Sequence, residues 1–142
     1  MSSHIDVEIG QNVTIYDDVI LWGDAPIWIG DNTSIGHGTI IAAVGKTEGG
    51  ITIGSNVMIA AQCYIIDSDH SVDKKECIRN QPQKSAPVFI GDDVWIAANA
   101  TILKGSAINT GAVIGAKALV KGEIPEYGIA VGIPARTIKY RK

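Results

Sequence analysis

An aliphatic residue recurs at every sixth position between Ile90 and Val120, at residues 90, 96, 102, 108, 114 and 120. A small residue comes four positions after each of the first five, namely Val94, Ala100, Ser106, Ala112 and Ala118. A helix would space apolar residues by three and four, and an ordinary strand would alternate at two. A fixed period of six is typical of a parallel β-helix, in which each hexapeptide is one flat side of a coil. Three sides close one turn, so the stretch predicts one coil from Ile90 to Ala107 and another from Ile108 onward.

The same period extends back to Ile9 with interruptions. The aliphatic positions form five sets of three: Ile9, Ile15, Leu21; Ile29, Ile35, Ile41; Ile53, Ile59, Ile65; Ile90, Ile96, Ile102; and Ile108, Ile114, Val120. Every interruption follows the third side of a coil, and insertions in a solenoid commonly map to one face, often the binding face. We therefore expect an all-β, single-domain β-helix of about five coils. Its repeat spans residues 9–124, its long inserted loop residues 67–87, and its C-terminal extension residues 125–142.

Composition restricts the protein class. The chain has 142 residues, of which 46% are hydrophobic and 19% charged, as expected for one globular domain. No apolar run approaches the 18 residues of a membrane span, and the first ten residues lack the basic and apolar regions of a signal peptide. Two cysteines are too few for a disulfide framework. These features predict a cytoplasmic protein.

Charge is distributed unevenly along the chain. The net charge is −3, which argues against a nucleic-acid partner. Residues 101–142 nevertheless contain seven Lys or Arg and two Glu, a net charge of +5. This asymmetry favours a local anionic ligand over a long polyanion. A solvated basic tail is the alternative, since four of the seven basic residues lie in the last seven positions.

Three segments carry a resemblance to a known family. They are ITIGSNVMIAAQCYIIDSDH at 51–70, IGDDVWIAANATI at 90–102 and GIAVGIPARTIK at 128–139. The chain resembles the hexapeptide-repeat acyltransferases, which include the maltose and galactoside O-acetyltransferases. The resemblance implies a left-handed β-helix, a homotrimer with active sites at subunit interfaces, and acetyl-CoA as co-substrate. The larger sugar acetyltransferases begin with a helical segment, whereas this chain enters the repeat by Ile9, so acceptor contacts from such a segment are not expected.

His70 ends the first of these segments, where the repeat breaks into the inserted loop. The resemblance implies that it is the catalytic base. Acyl transfer to a hydroxyl needs such a group, because an alcohol is a poor nucleophile and an imidazole with a pKa near 6.5 can take its proton. Asp67 or Asp69 could orient the ring, and the sequence does not choose between them. The alternative is an ordinary polar histidine in a loop.

Further candidate acceptor contacts are His37, Asp69 and Trp95. His37 would contribute if it faces the same cleft as His70. Trp95 is expected at an outward position, and in the resembling enzymes a tryptophan here lies near the active-site interface. His4 precedes the repeat and is expected at the surface. Trp22 and Trp28 lie near the first insertion, where packing is the simpler role.

The cofactor site is inferred from the resemblance. The pantetheine arm would run past Ala98 and Ala116, where small side chains let it approach the backbone. Lys121 and Arg136 would meet phosphate groups. The adenine would lie near Gly132 and Pro134. Lys121-Gly122 departs from the Thr-Lys pair often found in relatives, so the phosphate-binding lysine could be displaced by one residue.

Two other functions remain open at this stage. One is a non-catalytic β-helix that acts as a scaffold or binding module. The other is a zinc enzyme like the γ-class carbonic anhydrases, which share the fold, but their pair of closely spaced histidines is absent here, and we expect no metal site. Cys63 is expected in the core and Cys77 as an exposed thiol. The loop at 67–87 is expected to act as a lid or an arm towards a neighbouring subunit.

Overall fold

Each hexapeptide forms a short strand followed by a turn, and three strands complete one coil. A computed structural model describes residues 5–142. The first three coils comprise β1 (Val7–Ile9), β2 (Thr14–Ile15), β3 (Ile20–Trp22), β4 (Ile27–Ile29), β5 (Ser34–Ile35), β6 (Ile40–Ala42), β7 (Ile51–Ile53), β8 (Met58–Ile59) and β9 (Tyr64–Ile66). The long insertion contains β10 (Ser68–His70) and β11 (Gln83–Ser85). The remaining strands are β12 (Val88–Ile90), β13 (Trp95–Ile96), β14 (Thr101–Ile102), β15 (Ala107–Ile108), β16 (Val113–Ile114), β17 (Leu119–Val120), β18 (Glu123–Ile124), β19 (Gly128–Gly132) and β20 (Ala135–Tyr140).

Equivalent strands of successive coils stack into three parallel sheets, which we call faces A, B and C. Face A has the order β1-β4-β7-β12-β15-β18, and face C has the order β3-β6-β9-β14-β17. Face B has the order β2-β5-β8-β13-β16-β19, and β20 closes it as an antiparallel edge strand. The predicted all-β parallel β-helix is therefore confirmed, with five complete coils and a partial sixth formed by β18 and β19.

The core is the column of aliphatic residues inside the coils. The predicted positions pair with one another in register, as in the series Ile9, Ile29, Ile53, Ile90 and Ile108 on face A. From the second coil onward these side chains are buried. Burying one such side chain contributes about 1.5–3 kcal/mol. In the first coil, Ile9 and Ile15 remain 48% and 41% exposed, because no coil covers them on the outer side.

The turns repeat as regularly as the strands. At both the A–B and the B–C edges, the third residue after the inward aliphatic residue has a positive φ. These residues are Asn12, Asn32, Asn56, Asp93, Gly111 and Tyr127 at the first edge, and Asp18, Gly38, Gln62, Asn99 and Lys117 at the second. Glycine adopts this conformation freely, and Asn and Asp tolerate it better than most residues. The turn sequence therefore fixes where each coil bends.

The three insertions that interrupt the repeat leave from the C–A edge. The connections of residues 23–26, 43–50 and 67–87 each follow a face C strand, as the sequence predicts. The two 3-10 turns, Lys46–Glu48 and Ile78–Asn80, belong to the second and third of these connections. Within residues 5–142 no helix has the length and apolar character needed to cross a lipid bilayer. Because the three insertions lie at the C–A edge, the side chains there do not follow the pattern of the repeat.

Candidate active site

The long insertion is an ordered hairpin. Strands β10 and β11 pair antiparallel, with His70 opposite Gln83 and Ser68 opposite Ser85. The far end of the hairpin is closed by the buried Gln81 side chain, whose Nε2 donates to the carbonyl oxygens of Asp73 and Glu76 at 2.8 Å each. His70 is therefore carried on a strand and not on an unstructured loop.

Asp67 joins this hairpin to the preceding insertion. Its carboxylate is fully buried and accepts hydrogen bonds from the backbone N–H groups of Val44, Gly45 and Gly50 at 2.8, 3.1 and 2.8 Å. The Ser68 hydroxyl donates a fourth at 2.9 Å. A carboxylate with four donors satisfies its buried charge without a cation. Asp67 therefore fixes the backbone of residues 43–50 against the base of the hairpin.

A groove lies between these two insertions, next to His70. It has a volume of about 390 Å³ and is lined by residues 44–48 and by Pro82, Gln83 and Ser85. Residues directly opposite each other in an antiparallel pair project from the same face, so His70 lies beside Gln83 on the groove side. We call this cavity the His70 groove. Its hydroxyl, amide and charged groups and its size suit a small polar ligand.

Asp69 projects from the other face of the hairpin, because side chains alternate along a strand. Its carboxylate lies 3.6 Å from the ammonium of Lys104, in the turn after β14. Within residues 5–142, neither Asp67 nor Asp69 hydrogen-bonds to the exposed His70 imidazole. The sequence left open which of the two orients His70, and in this chain each carboxylate is engaged elsewhere.

A second line of candidate residues runs along the B–C edge. The second residue after each inward position of face B stacks on its equivalents, at spacings of about 4.8 Å per coil. We call this set the B–C line: Asp17, His37, Ala61, Ala98, Ala116 and Gly132. Backbone hydrogen bonds join its turns, such as those from Gln62 N to His37 O and from Lys117 N to Ala98 O. His37, predicted as an acceptor contact, thus shares one edge with Ala98, Ala116 and Gly132, which were predicted as cofactor residues.

The C-terminal hairpin completes this line. Strand β19 continues face B, with Gly115 N donating to Ala130 O at 2.8 Å, and Gly132 ends the strand with a φ of +100°. Pro134 follows a cis peptide bond at the hairpin tip. Arg136 is exposed on β20 opposite Val131. The tip therefore extends the B–C line beyond Ala116.

Lys121 lies apart from these residues. It directly follows β17 and so occupies the C–A edge of the fifth coil, across face C from Ala116. Lys117, by contrast, stands next to Ala116 in the B–C turn, is exposed and has a φ of 62°. The sequence analysis did not assign Lys117 to the site. Its position directly after Ala116, a predicted cofactor contact, could have identified it as a candidate from the sequence.

Within one chain, the His70 hairpin and the B–C line stand at opposite edges of face C. Lys104, which contacts the hairpin through Asp69, is six residues from Ala98. Six residues span at most about 20 Å when fully extended, and the turns on either side of β14 shorten this path. His37 is also separate from His70, and its Nε2 lies 3.8 Å from a carboxylate oxygen of Asp18. A single chain thus separates the proposed base from the proposed cofactor residues.

The tryptophans occupy other surfaces. Trp95 projects from face B, opposite the C–A edge in the three-sided coil, and is 48% exposed beside Met58 and Val113. Trp22 and Trp28 are 48% and 45% exposed, so neither is packed in the core of this chain. His4 lies outside the described residues.

The two cysteines differ in burial. Cys63 is buried, as predicted, and its Sγ donates to the Ala97 carbonyl oxygen at 3.2 Å. Desolvation by burial raises the pKa of this thiol. Cys77 is exposed. Residues 5–142 contain no group of three or more His, Cys, Asp or Glu side chains placed to hold a metal ion.

Comparison with known proteins identifies the family. The model of the bacterial transferase hexapeptide (six repeats) matches residues 87–122. A putative lipopolysaccharide biosynthesis O-acetyl transferase of Escherichia coli is 32% identical over 143 residues, which cover 94% of this chain and 71% of that protein. The chain belongs to the hexapeptide-repeat acetyltransferases.

Two further comparisons place this family member among its relatives. A probable acetyltransferase of Mycobacterium tuberculosis is 38% identical over 138 residues, covering 96% of this chain but 45% of that protein. The crystal structure of a galactoside acetyltransferase in complex with coenzyme A has a TM-score of 0.82 and 31% identity, covering 93% of this chain and 64% of that one. The chain thus spans between about half and three quarters of the length of these relatives.

Proposed function

We propose that the chain is an acetyl-CoA-dependent acetyltransferase that acts on a hydroxyl, or an amine, of a sugar or sugar-like acceptor, with His70 as the general base. O- and N-acetyltransferases both occur among the relatives. Of the two acceptor groups, we propose the hydroxyl. The observation that carries the proposal is the position of His70 beside Gln83, on the hairpin face that borders the polar His70 groove.

His70 is suited to proton transfer. Its side chain is exposed and makes no hydrogen bond within residues 5–142, and its strand partner Gln83 lines the groove, so an acceptor bound at this end of the groove would be presented to the ring. The imidazole takes the hydroxyl proton as the acceptor oxygen forms a bond to the thioester carbonyl carbon. The C–S bond then breaks, the sulfur leaves with a proton, and the products are the acetylated acceptor and CoA. No covalent acyl-enzyme is required.

Acetyl-CoA is proposed to lie along the B–C line, past Ala98 and Ala116 to Gly132 and Pro134. Small side chains keep this edge open to a ligand, and the solved galactoside acetyltransferase holds coenzyme A. The Ala98 N–H makes no hydrogen bond within residues 5–142, so it can donate to the oxyanion of the tetrahedral state. Arg136 and Lys117 would meet phosphates. Lys121 stands at the C–A edge with the hairpin, so it would meet a phosphate of the CoA on the neighbouring chain's B–C line.

Catalysis by this arrangement requires two chains. His70 and the B–C line of one chain stand at opposite edges of face C, so in the proposed homotrimer the hairpin of one chain would pair with the B–C line of its neighbour. The groups that would meet in the shared site lie at neighbouring coils along the β-helix axis. His37 and the loop of residues 43–50 lie at the second coil, the hairpin at the third, and Ala98 at the fourth. His37 and Trp95 would reach the acceptor from the neighbour, and Asp69 would support the hairpin beside it.

The test is thiol release from acetyl-CoA with a panel of sugars. His70→Ala should lower kcat by about 10²- to 10⁴-fold, the usual contribution of a general base. His37→Ala is the matched control, because it removes another exposed histidine and should change KM more than kcat. Unchanged thiol release by His70→Ala with a normal melting temperature would refute the assignment.

Complementation tests the shared site. His70→Ala and Ala116→Trp, which blocks the B–C line, should each be inactive alone. A co-assembled mixture should regain activity, because some sites then combine an intact His70 with an intact neighbouring line. No recovery in mixed trimers would contradict the arrangement.

CoA binding separates this function from a non-catalytic scaffold. CoA at one hundred times its dissociation constant should stabilise the protein by about 2.7 kcal/mol, whereas a scaffold would show no shift. Ala116→Trp should lose this stabilisation. His70→Ala should keep it.

A further inference from the structure

Trp28 lies exposed at the surface, next to a groove. It projects outward from β4 on face A, in register with Glu8 and Thr52 of the neighbouring coils. A groove of about 510 Å³ on one side is lined by Asp6, Asp24, Pro26, Trp28, Lys46 and Thr47. We call this cavity the Trp28 groove. Trp22 and Trp95 are as exposed as Trp28, but only Trp28 of the three lines this groove, together with Asp6 and Asp24.

The Trp28 groove adjoins the His70 groove. Lys46 and Thr47 line both cavities, so the 3-10 turn at Lys46–Glu48 forms a wall that they share. This wall is rigid at its base, because Asp67 holds the N–H groups of Gly45 and Gly50 on either side of the turn. One continuous surface therefore leads from His70, past Thr47, to the indole of Trp28.

The chemistry of the Trp28 groove suits a sugar ring. An indole presents a flat apolar face on which the C–H face of a pyranose can stack, and carboxylates accept hydrogen bonds from pairs of hydroxyls. Asp6 and Asp24 outnumber the single cation Lys46, which disfavours a phosphate or nucleotide at this place. The two grooves together exceed the space that one sugar ring fills.

We propose that the acceptor is an oligosaccharide, and that Trp28 with Asp24 binds a second sugar ring while the ring to be acetylated occupies the His70 groove. This inference rests on the proposed function and specifies its substrate class. Trp28 is then a specificity-determining residue that acts on chain length, distant from the bond that forms.

The experiment compares mono-, di- and trisaccharides of glucose and galactose. Wild type should use the longer sugars with higher kcat/KM. Trp28→Ala should lower the ratio of trisaccharide to monosaccharide kcat/KM by about tenfold, which corresponds to one good stacking contact. Trp22→Ala is the matched control, because it removes an equally exposed indole outside both grooves and should leave the ratio unchanged. A wild-type enzyme indifferent to length, or an unchanged ratio in Trp28→Ala, would overturn the proposal while acetylation itself still supports the proposed function.

Binding provides a readout independent of turnover. The three tryptophans give three indole N–H signals in a ¹H–¹⁵N spectrum, and Trp28→Ala identifies one of them. Titration with the di- and trisaccharides should shift the Trp28 signal saturably and leave the Trp22 signal in place. If no sugar of the panel is acetylated, the proposed function fails, and a saturable Trp28 shift still supports the sugar subsite. Absence of any Trp28 shift would overturn it.

Discussion

Replacing Asp67 by Asn should loosen the insertion that forms one wall of the His70 groove. The carboxylate accepts four hydrogen bonds, whereas an amide keeps only one acceptor oxygen. With that oxygen towards Val44 and Ser68, the NH₂ group faces the N–H groups of Gly45 and Gly50. Each buried donor left without an acceptor costs about 1–3 kcal/mol, so we expect about 2–6 kcal/mol in total for the two.

Two measurements check this prediction. Urea unfolding gives the global loss, and native-state hydrogen exchange of the Gly45 and Gly50 amides reports whether the loop opens locally. Asp69→Asn is the matched control, because its carboxylate is half exposed and faces only Lys104 at 3.6 Å, so the change should cost less than about 1 kcal/mol. Unchanged protection of the Gly45 and Gly50 amides in Asp67→Asn would refute the assigned role of the carboxylate.

Two further predictions concern the core. Ile96→Ala in the fourth coil should lower the unfolding free energy by about 2–5 kcal/mol. Ile15→Ala, at the equivalent but 41% exposed position of the first coil, should lower it by less than about 1.5 kcal/mol. Equal losses in urea unfolding would contradict coil stacking as the source of stability. Cys77 should react with a thiol reagent at pH 8 in the native protein and Cys63 only after unfolding, because burial raises the pKa of Cys63 and so reduces its thiolate fraction. Rapid labelling of two thiols per native chain would contradict this.

The repeat could be predicted from the sequence because the residues that form each side of a coil are close together in the chain. Each inward aliphatic residue is followed by its own turn residues, so the register of Ile53 with Ile90 follows from counting, even across the long insertion. The family resemblance is confirmed by the comparisons for the same reason, since the repeat carries most of the matched residues. The functional assignments of His70, His37 and Trp95 stay predictions.

The contacts made by the insertions could not be predicted in this way. Asp67 looked like a candidate partner of His70, and its position as the acceptor for the 43–50 backbone depends on a connection that joins different coils. The same applies to Trp28, for which packing seemed the simpler role. Its groove is formed by residues before β1, by the first connection and by the second, which no spacing rule brings together.

The sequence alone determined the three-sided coil, the edge from which every insertion leaves and the family, because a six-residue period and its turn residues act over short distances along the chain. Only the tertiary structure decided which hairpin face carries His70, that a shared wall joins the His70 and Trp28 grooves, and that the proposed base and the B–C line stand at opposite edges of face C. Those features depend on contacts between insertions from different coils and on the width of a sheet, and neither is encoded in the spacing of the repeat.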